Sequence, residues 1–302
     1  MVNVFHRMNL AGATLATLLL VTACGGGGDS GLSSIVGTGG TGISGAVTKG
    51  PVGNATVTAF AISGGQLGSQ LGTTTTDANG NFSMATSDYT GPVMIRANAG
   101  SYRDEATGQV MSMGAGDTMT AVLPSITSGT TTTGIQVTAV TGMAQTLALQ
   151  MNGGMSAQNV AAANSALGSY FGVSDILHVR PMNPLVPGAG ATASQDARDY
   201  GMTLAAMSQY AKTLGMSVSS AAVTAMMSDA SDGVMDGKKG GVQISMAMGG
   251  MMGTSMMPAT SGTSGMADAM TSFVNSTANV SGVTAADMAP LVQRLTSSSG
   301  KL

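Results

Sequence analysis

The sequence predicts a multidomain α+β protein in which a seven-strand β-sandwich precedes a small, mostly α-helical bundle. Between residues 42 and 126, short runs rich in Val, Thr, Ile and Phe end at Gly, Asn, Asp or Pro about every 8 to 12 residues. From residue 134 onward, apolar residues recur at the three- and four-residue spacing of buried helix faces. The length of 302 residues agrees with about two domains.

The first 23 residues have the features of a cleavable export signal. A short start containing His6 and Arg7 precedes an apolar run at 10–21. A helix of about 12 residues rises only about 18 Å, whereas the apolar core of a bilayer is about 30 Å thick. The run therefore indicates a signal peptide and not a transmembrane helix.

The end of this signal, Val-Thr-Ala-Cys at 21–24, resembles the lipobox of bacterial lipoproteins. The resemblance implies cleavage before Cys24, acylation of its sulfur with palmitate-like chains, and attachment to a membrane of the cell envelope. Gly25 stands where an Asp often retains such proteins at the inner membrane, so the outer membrane is expected. An ordinary secretory signal cut after Ala23 is the alternative, and it would leave Cys24 as a free thiol, because the chain has no other cysteine.

Residues 24–41 form a Gly/Ser-rich tether, after which the β region at 42–126 begins. Alternation is clearest at 55–62, where Phe60 and Ile62 share one face with two threonines. A sheet of this size needs a partner sheet to cover its apolar face, which predicts the sandwich. The predicted strands are 42–48, 55–62, 69–76, 81–85, 93–97, 109–113 and 118–123.

Three segments of the β region resemble the carboxypeptidase regulatory-like domain, namely Ile-Ser-Gly-Ala-Val at 43–47, Pro-Val-Gly-Asn-Ala-Thr-Val at 51–57 and Thr-Asp-Ala-Asn-Gly-Asn-Phe-Ser at 76–83. The resemblance implies a transthyretin-type, Ig-like sandwich. Asp77, Asn79 and Gly80 suit a tight turn, and Phe82 is expected to return to the core. Calcium ligation by Asp77 and Asn79 is the alternative, but the further oxygen ligands of an EF-type loop are missing.

After a Thr-rich joint at 127–133, the pattern predicts about six helices within a Met-rich domain at 134–302. Ser156 is expected to cap the second helix, the third helix is expected to begin at about Ser194, and Gly215 is expected to end the third. Pro290 is expected in the first turn of the last helix. The acidic segment at 229–238 is predicted to be a helix end that leads into a tight turn, with calcium binding as the alternative.

Composition excludes several classes of function. The net charge is −3 and the 11 Lys and Arg are scattered, which argues against nucleic-acid binding. Glu105 is the only Glu, and beside Arg103 and Asp104 it is predicted to lie on a solvated hairpin edge. His178, three residues after Asp175, is the only His of the exported part, and it is expected to be a surface or capping residue. The sequence therefore predicts that the protein is not an enzyme.

Methionine is the unusual signal, with 26 residues in the chain. Most lie on predicted helical core faces, where Met fills irregular gaps. The segment 246–257 lacks helical spacing, and its six thioethers could bind Cu(I) or consume oxidants, or they could simply cover the core. The candidate ligands are Met246, Met248, Met251, Met252, Met256 and Met257.

These features predict a lipid-anchored envelope lipoprotein that acts as a non-catalytic structural or binding module. Its membrane contact is the N-terminal lipid, and its partner at the cell surface is expected to be a protein or a polysaccharide. The alternative is a methionine-rich protein that binds Cu(I) or scavenges oxidants.

Overall fold

The computed structural model describes residues 40–249 and 253–302. The predicted signal peptide, the lipidation site at Cys24 and the tether up to residue 39 lie outside these ranges, as do Met251 and Met252. The described residues all belong to one compact unit. Of the helices in the described ranges, none is long and apolar enough to cross a bilayer.

Seven strands form one mixed sheet, namely β1 (Gly42–Thr48), β2 (Thr56–Ser63), β3 (Gln66–Thr75), β4 (Asn81–Ala85), β5 (Gly91–Asn98), β8 (Thr118–Ile126) and β9 (Thr131–Thr138). Two further strands, β6 (Ser101–Arg103) and β7 (Val110–Ser112), form a separate hairpin. The order in the sheet is β3-β2-β5-β8-β9-β1-β4. Neighbouring strands are antiparallel except β1 and β9, which run parallel.

The sheet curls into a half-barrel, so that its two edge strands approach each other. The backbone N–H of Ser87, just after β4, donates to the carbonyl of Leu71 in β3 at 2.9 Å. A Cβ on Gly72 would lie 2.5 Å from the carbonyl oxygen of Ala85, so this approach requires glycine. The curled sheet encloses its own apolar core, whose fully buried members include Ile43, Val57, Val93, Ile95, Ile135 and Val137.

The predicted fold class, an Ig-like sandwich of two sheets followed by a bundle, is wrong. The structure is instead a mixed α/β fold with one curled sheet and helices. The cause is β9, which begins inside the segment predicted as a joint and pairs with both β8 and β1. Its first residues are Thr-rich and largely exposed, as in a linker, so the sequence pattern did not reveal the strand. The division into one domain at 42–126 and another at 134–302 stays a prediction, namely that each of the two segments folds independently.

Six α-helices occur within the described ranges, and the predicted cap at Ser156 and the predicted stop at Gly215 are confirmed. The Ser156 and Ser194 hydroxyls accept from backbone N–H groups at the starts of the second and third helices, and Gly215 has a φ of 73° just after the third. The helices are α1 (Ala139–Gln150), α2 (Ala157–Phe171), α3 (Gln195–Thr213), α4 (Ser219–Asp229), α5 (Ser264–Val274) and α6 (Ala285–Ser297). Two short hairpins lie between α4 and α5, formed by β10 (Lys238–Lys239) with β11 (Val242–Gln243) and by β12 (Ser245–Ala247) with β13 (Thr254–Met256).

The prediction for Pro290 is wrong, because this residue lies at the sixth position of α6 and not in its first turn. Thr284 and Asp287 form a capping box that starts the helix earlier than the proline alone suggests.

Helices α1 and α2 pack on the outer face of the sheet. The hydroxyl of Thr141 in α1 donates to the carbonyl of Thr120 in β8 at 2.8 Å, and Asn164 in α2 donates to the carbonyl of Val122 at 3.2 Å. Val122 and Met94 belong to the same apolar core as the helices. The sheet therefore has two buried faces, one lining its own core and one covered by helices.

Candidate functional site

A cluster of three charged side chains is buried where the ends of β1 and β6 meet. Lys49 follows β1, and Asp104 and Glu105 follow β6; each residue is only 1% exposed. The Lys49 Nζ lies 3.4 Å from Glu105 Oε2 and 3.9 Å from Asp104 Oδ2. The prediction that Asp104 and Glu105 lie on a solvated hairpin edge is therefore wrong. Their partner is more than 50 residues away in the sequence, so local composition could not reveal it.

Hydroxyl groups from two helices complete this ion cluster. Ser208 in α3 accepts a hydrogen bond from Lys49 and donates one to Glu105 Oε2 at 2.6 Å. Ser219 in α4 donates to Asp104 Oδ2 at 2.5 Å and contacts the Tyr102 hydroxyl at 3.0 Å. Buried charges are tolerated when they are paired and hydrogen-bonded in this way, and the cluster joins the sheet to α3 and α4.

The charge state of Asp104 follows from these contacts. Burial raises the pKa of its carboxyl, but the Lys49 ammonium and the hydrogen bonds from Ser219 and Thr107 outweigh burial. The net pKa is below the ordinary aspartate value, so Asp104 is ionised at neutral pH.

Glu105 also lines an adjacent cleft of about 310 Å³. Besides Glu105, three parts of the chain build this cleft, namely the turns around β1 and β4, the proline-rich loop at 180–184, and α3. The lining residues are Thr48, Gly50, Pro51, Asn79, Asn81, Glu105, Arg180, Pro181, Met182, Asn183, Pro184, Gly201 and Leu204. The volume is at the lower end of the roughly 300 to 1,000 Å³ typical of small-ligand pockets.

Contacts behind the cleft hold two of its polar side chains in place. Asp77 accepts from the Asn79 and Asn81 backbone N–H groups, both at 2.8 Å, and from the Asn81 side chain at 3.1 Å. Arg180 in turn donates to Asn81 Oδ1 at 3.2 Å. The predicted turn at Asp77, Asn79 and Gly80 is confirmed, and Gly80 has a φ of 78°.

Gly201 brings the proline-rich loop onto α3. A Cβ at this position would lie 2.0 Å from the backbone oxygen of Met182, so no other residue fits without moving the loop. The Met182 N–H donates to the carbonyl of Ala197 at 2.9 Å and fixes the loop on the helix. The cleft thus combines one carboxylate, one guanidinium and three asparagine amides with proline walls, a set suited to a small polar ligand.

The His178 and Asp175 side chains form a pair outside this cleft. Their Nδ1 and Oδ2 atoms are 2.8 Å apart, and both side chains are about half exposed, at 51% and 50%. Asp175 also accepts from the backbone N–H groups of Leu177 and His178. The exposure confirms the interpretation of His178 as a surface residue.

The methionine segment at 246–257 has residues on two opposite faces of a hairpin. Met246, Met248 and Met257 are 2%, 8% and 1% exposed and belong to the core of the helices. Met256 lies opposite Ser245, on the other face from Met246, and is 57% exposed. The four thioethers that the structure describes therefore do not converge on one point.

Asp229, at the end of α4, is a fully buried carboxyl group that organises the next turn. Its Oδ1 accepts from the backbone N–H groups of Asp236, Gly237 and Lys238 at 3.1, 2.7 and 3.2 Å. Its Oδ2 is buried without a hydrogen-bond partner within the described residues. The prediction of a helix end leading into a tight turn is confirmed. Burial raises the pKa of Asp229 to about 6.

We expect mildly acidic pH to stabilise the fold through Asp229. Between pH 4 and 6 the folded state holds a proton that the unfolded chain has lost, so this contribution disappears as the pH rises through 6. From a folded pKa of about 6 and about 1.4 kcal/mol for each pKa unit, the contribution of Asp229 alone to the free energy of unfolding falls by about 1 to 1.5 kcal/mol between pH 5 and 7.5.

Denaturant unfolding at both pH values measures this difference, and Asp229→Asn should reduce it. The exposed Asp268→Asn in α5 is the control and should leave the pH dependence intact. Burial also raises the pKa of Asp199 to about 6. Asp199 therefore adds a pH dependence of the same sign to the free energy of unfolding of every variant, and Asp229→Asn should reduce the total without abolishing it. An unchanged pH dependence in Asp229→Asn would contradict the assignment.

Comparisons with known proteins give no family assignment. No protein-family model matches the chain, and no curated protein matches it. Among solved structures the chain is similar to a 9R-lipoxygenase from Cyanothece PCC8801, with 17% identity and a TM-score of 0.20, over 36% of this chain and 18% of the lipoxygenase. The chain thus spans less than a fifth of that protein, and a likeness at this TM-score carries no argument about fold or activity.

Proposed function

We propose that this protein is a lipid-anchored lipoprotein of the cell envelope, expected at the outer membrane, whose exported part is a non-catalytic structural or binding module. The lipobox at 21–24 supports the anchor. The cleft beside the buried ion cluster carries the binding part of the proposal. A protein or polysaccharide segment at the cell surface is the expected occupant.

Pre-organisation of the cleft is the main support for ligand binding. Lys49 and Ser208 hold one oxygen of Glu105, and Asp77 holds Asn81. Polar groups that are fixed before binding lose little conformational entropy when a ligand arrives. A ligand with hydroxyl or amide groups can therefore exchange hydrogen bonds with the cleft at low cost.

We expect Arg180→Ala to weaken ligand binding at least about tenfold, because a charged hydrogen bond contributes about 1.5 to 3 kcal/mol. Soluble peptide and polysaccharide fragments of the host envelope are the probes, and deuterium exchange of the full chain is the readout. Binding should protect residues 79–81 and 180–184. The matched control is Arg103→Ala, an exposed arginine bonded to its own hairpin. If a probe protects only other residues from exchange, the cleft has no role in binding. Equal protection of residues 79–81 and 180–184 in Arg180→Ala and Arg103→Ala would also refute that role.

The second candidate function is Cu(I) binding or oxidant scavenging. Its support is the exposed side chain of Met256 and the presence of six methionines within the sequence segment 246–257. Thioethers carry no proton to lose, so Cu(I) binding here should depend little on pH. Leu keeps the volume of Met and typically costs under about 1.5 kcal/mol at each packed site. Of the four described methionines only Met246, Met248 and Met257 are packed, so the fold should survive the replacement.

We expect anaerobic Cu(I) titration with a competing chelator to give the same affinity before and after this sixfold replacement, because three of the side chains pack in the core. An equal number of Met→Leu changes on α1, α3, α4 and α5 provides the control. A specific loss of affinity in the first variant would establish the second candidate instead. Resistance of the wild-type methionines to mild peroxide would exclude the oxidant-scavenging form.

A further inference from the structure

The Lys49 amine and the Glu105 carboxyl group face each other in an environment that penalises their charges. Both residues are 1% exposed, and the Nζ–Oε2 distance is 3.4 Å. The ring of Tyr102 covers the ammonium from 5.2 Å. Removing an ammonium and a carboxylate from water costs several kcal/mol for each ion, and pairing compensates this cost only in part.

We propose that Lys49 and Glu105 condense into an intramolecular isopeptide bond that crosslinks the end of β1 to the segment after β6. The Lys49 Nζ bonds to the Glu105 Cδ, and the bond from Cδ to one carboxyl oxygen breaks. That oxygen leaves as water with two protons from the ammonium, so atoms and charge balance without an oxidant, reductant or other co-reactant. The product is a neutral amide, which removes two buried charges.

Neighbouring groups are positioned to move the protons. Asp104, whose Oδ2 is 3.9 Å from Nζ, accepts one proton from the ammonium and frees the amine for attack. Ser208 donates to Glu105 Oε2 at 2.6 Å and accepts from Lys49, so it can pass the second proton from nitrogen to the departing oxygen. The proton on Asp104 then completes the water, and the cleft lined by Glu105 gives it an exit.

Glu105 is favoured over Asp104 as the partner that forms the bond. Asp104 Oδ1 already accepts from the Ala106 N–H and from both the N–H and the hydroxyl of Thr107, and its Oδ2 accepts from Ser219. These contacts hold Asp104 as an ionised base, in agreement with the lowered pKa of its carboxyl. Glu105 Oε2 is also the carboxyl oxygen nearer to Nζ.

Mass spectrometry of the full chain tests the crosslink. The wild-type protein and Lys49→Met are prepared identically, so that any processing and lipid mass cancels. After correction for the substitution, wild type should be lighter by one water molecule, and proteolysis should release one branched peptide joining residues 49 and 105. Lys239→Met, an exposed control in β10, should keep the mass loss.

Three results would overturn the proposal. The first is a wild-type mass without water loss after prolonged incubation of the folded protein. The second is the same loss in Lys49→Met, which would indicate dehydration elsewhere, and the third is a branch mapped to Asp104. Peptide mapping of wild type decides the question even if Lys49→Met does not fold. Asp104→Asn should form the crosslink more slowly, visible as a mixture of linked and unlinked chains.

Discussion

Relative to wild-type chains in which Lys49 and Glu105 are still an unlinked ion pair, Lys49→Met is expected to lower the free energy of unfolding by about 3 to 5 kcal/mol, because it removes the cation that contacts both buried carboxyl groups of this cluster. Methionine nearly matches the volume of the lysine stem, so loss of charge pairing and not a cavity is the cause. Repulsion between Asp104 and Glu105 would then compete with the hydrogen bonds from Ser208 and Ser219. Denaturant titration of the full chain measures the change.

Two further variants separate charge from packing. Lys239→Met replaces an exposed lysine and should change stability by less than about 0.5 kcal/mol. Combining Lys49→Met with Asp104→Asn and Glu105→Gln should recover part of the loss, since no unpaired charge is then buried. A change below about 1 kcal/mol in Lys49→Met alone would mean that the cluster does not hold the sheet to the helices.

Cys24→Ser is expected to abolish membrane attachment through the lipid. Serine has no thiol to acylate, and acyl chains contribute about 0.8 kcal/mol for each buried CH₂, so their loss removes the whole anchor. Labelling cells with a palmitate analogue and separating the envelope fractions should show label on wild type and none on the variant. The variant should appear as uncleaved precursor or as unattached protein.

Gly25→Asp is the matched control for this experiment. It keeps Cys24 and therefore the lipid label, but in lipoproteins with a similar lipobox an Asp at this place often causes retention at the inner membrane. We expect the labelled protein to move from the outer to the inner membrane fraction. Equal labelling of wild type and Cys24→Ser would contradict acylation at this cysteine.

Local sequence patterns were sufficient to predict most of the individual strands and helices. Runs of strand-forming residues between turn residues located β1 and β4 with the bounds that the structure has, and the cap at Ser156 located the start of the second helix. These signals depend on neighbours within about four residues along the chain. The assembly of the sheet depends on β9, whose exposed threonines resemble a linker and whose partner β1 is far away in the sequence.

The candidate site was harder to predict, for the same reason. Asp104 and Glu105 stand beside Arg103 in a polar run, which is typical of a solvated edge, yet both are buried through contacts with Lys49 and with serines of two helices. The one feature that could have indicated a buried charge cluster is Lys49, which directly follows the apolar strand β1. A lysine in that place is also common at exposed strand ends, so it does not predict such a cluster. In the methionine hairpin, Met246 and Met256 lie on opposite faces because Met256 pairs with Ser245. The sequence does not show this pairing, so it could not distinguish the buried Met246 from the exposed Met256.

The most direct test of the proposed lipoprotein is the mass of the N-terminal peptide of the wild-type protein recovered from envelope membranes. We expect this peptide to begin at Cys24 and to carry acyl chains on that residue. Recovery of a peptide that begins at Cys24 with a free thiol, or of a chain that retains residues 1–23, would contradict the lipid anchor and with it the proposed function.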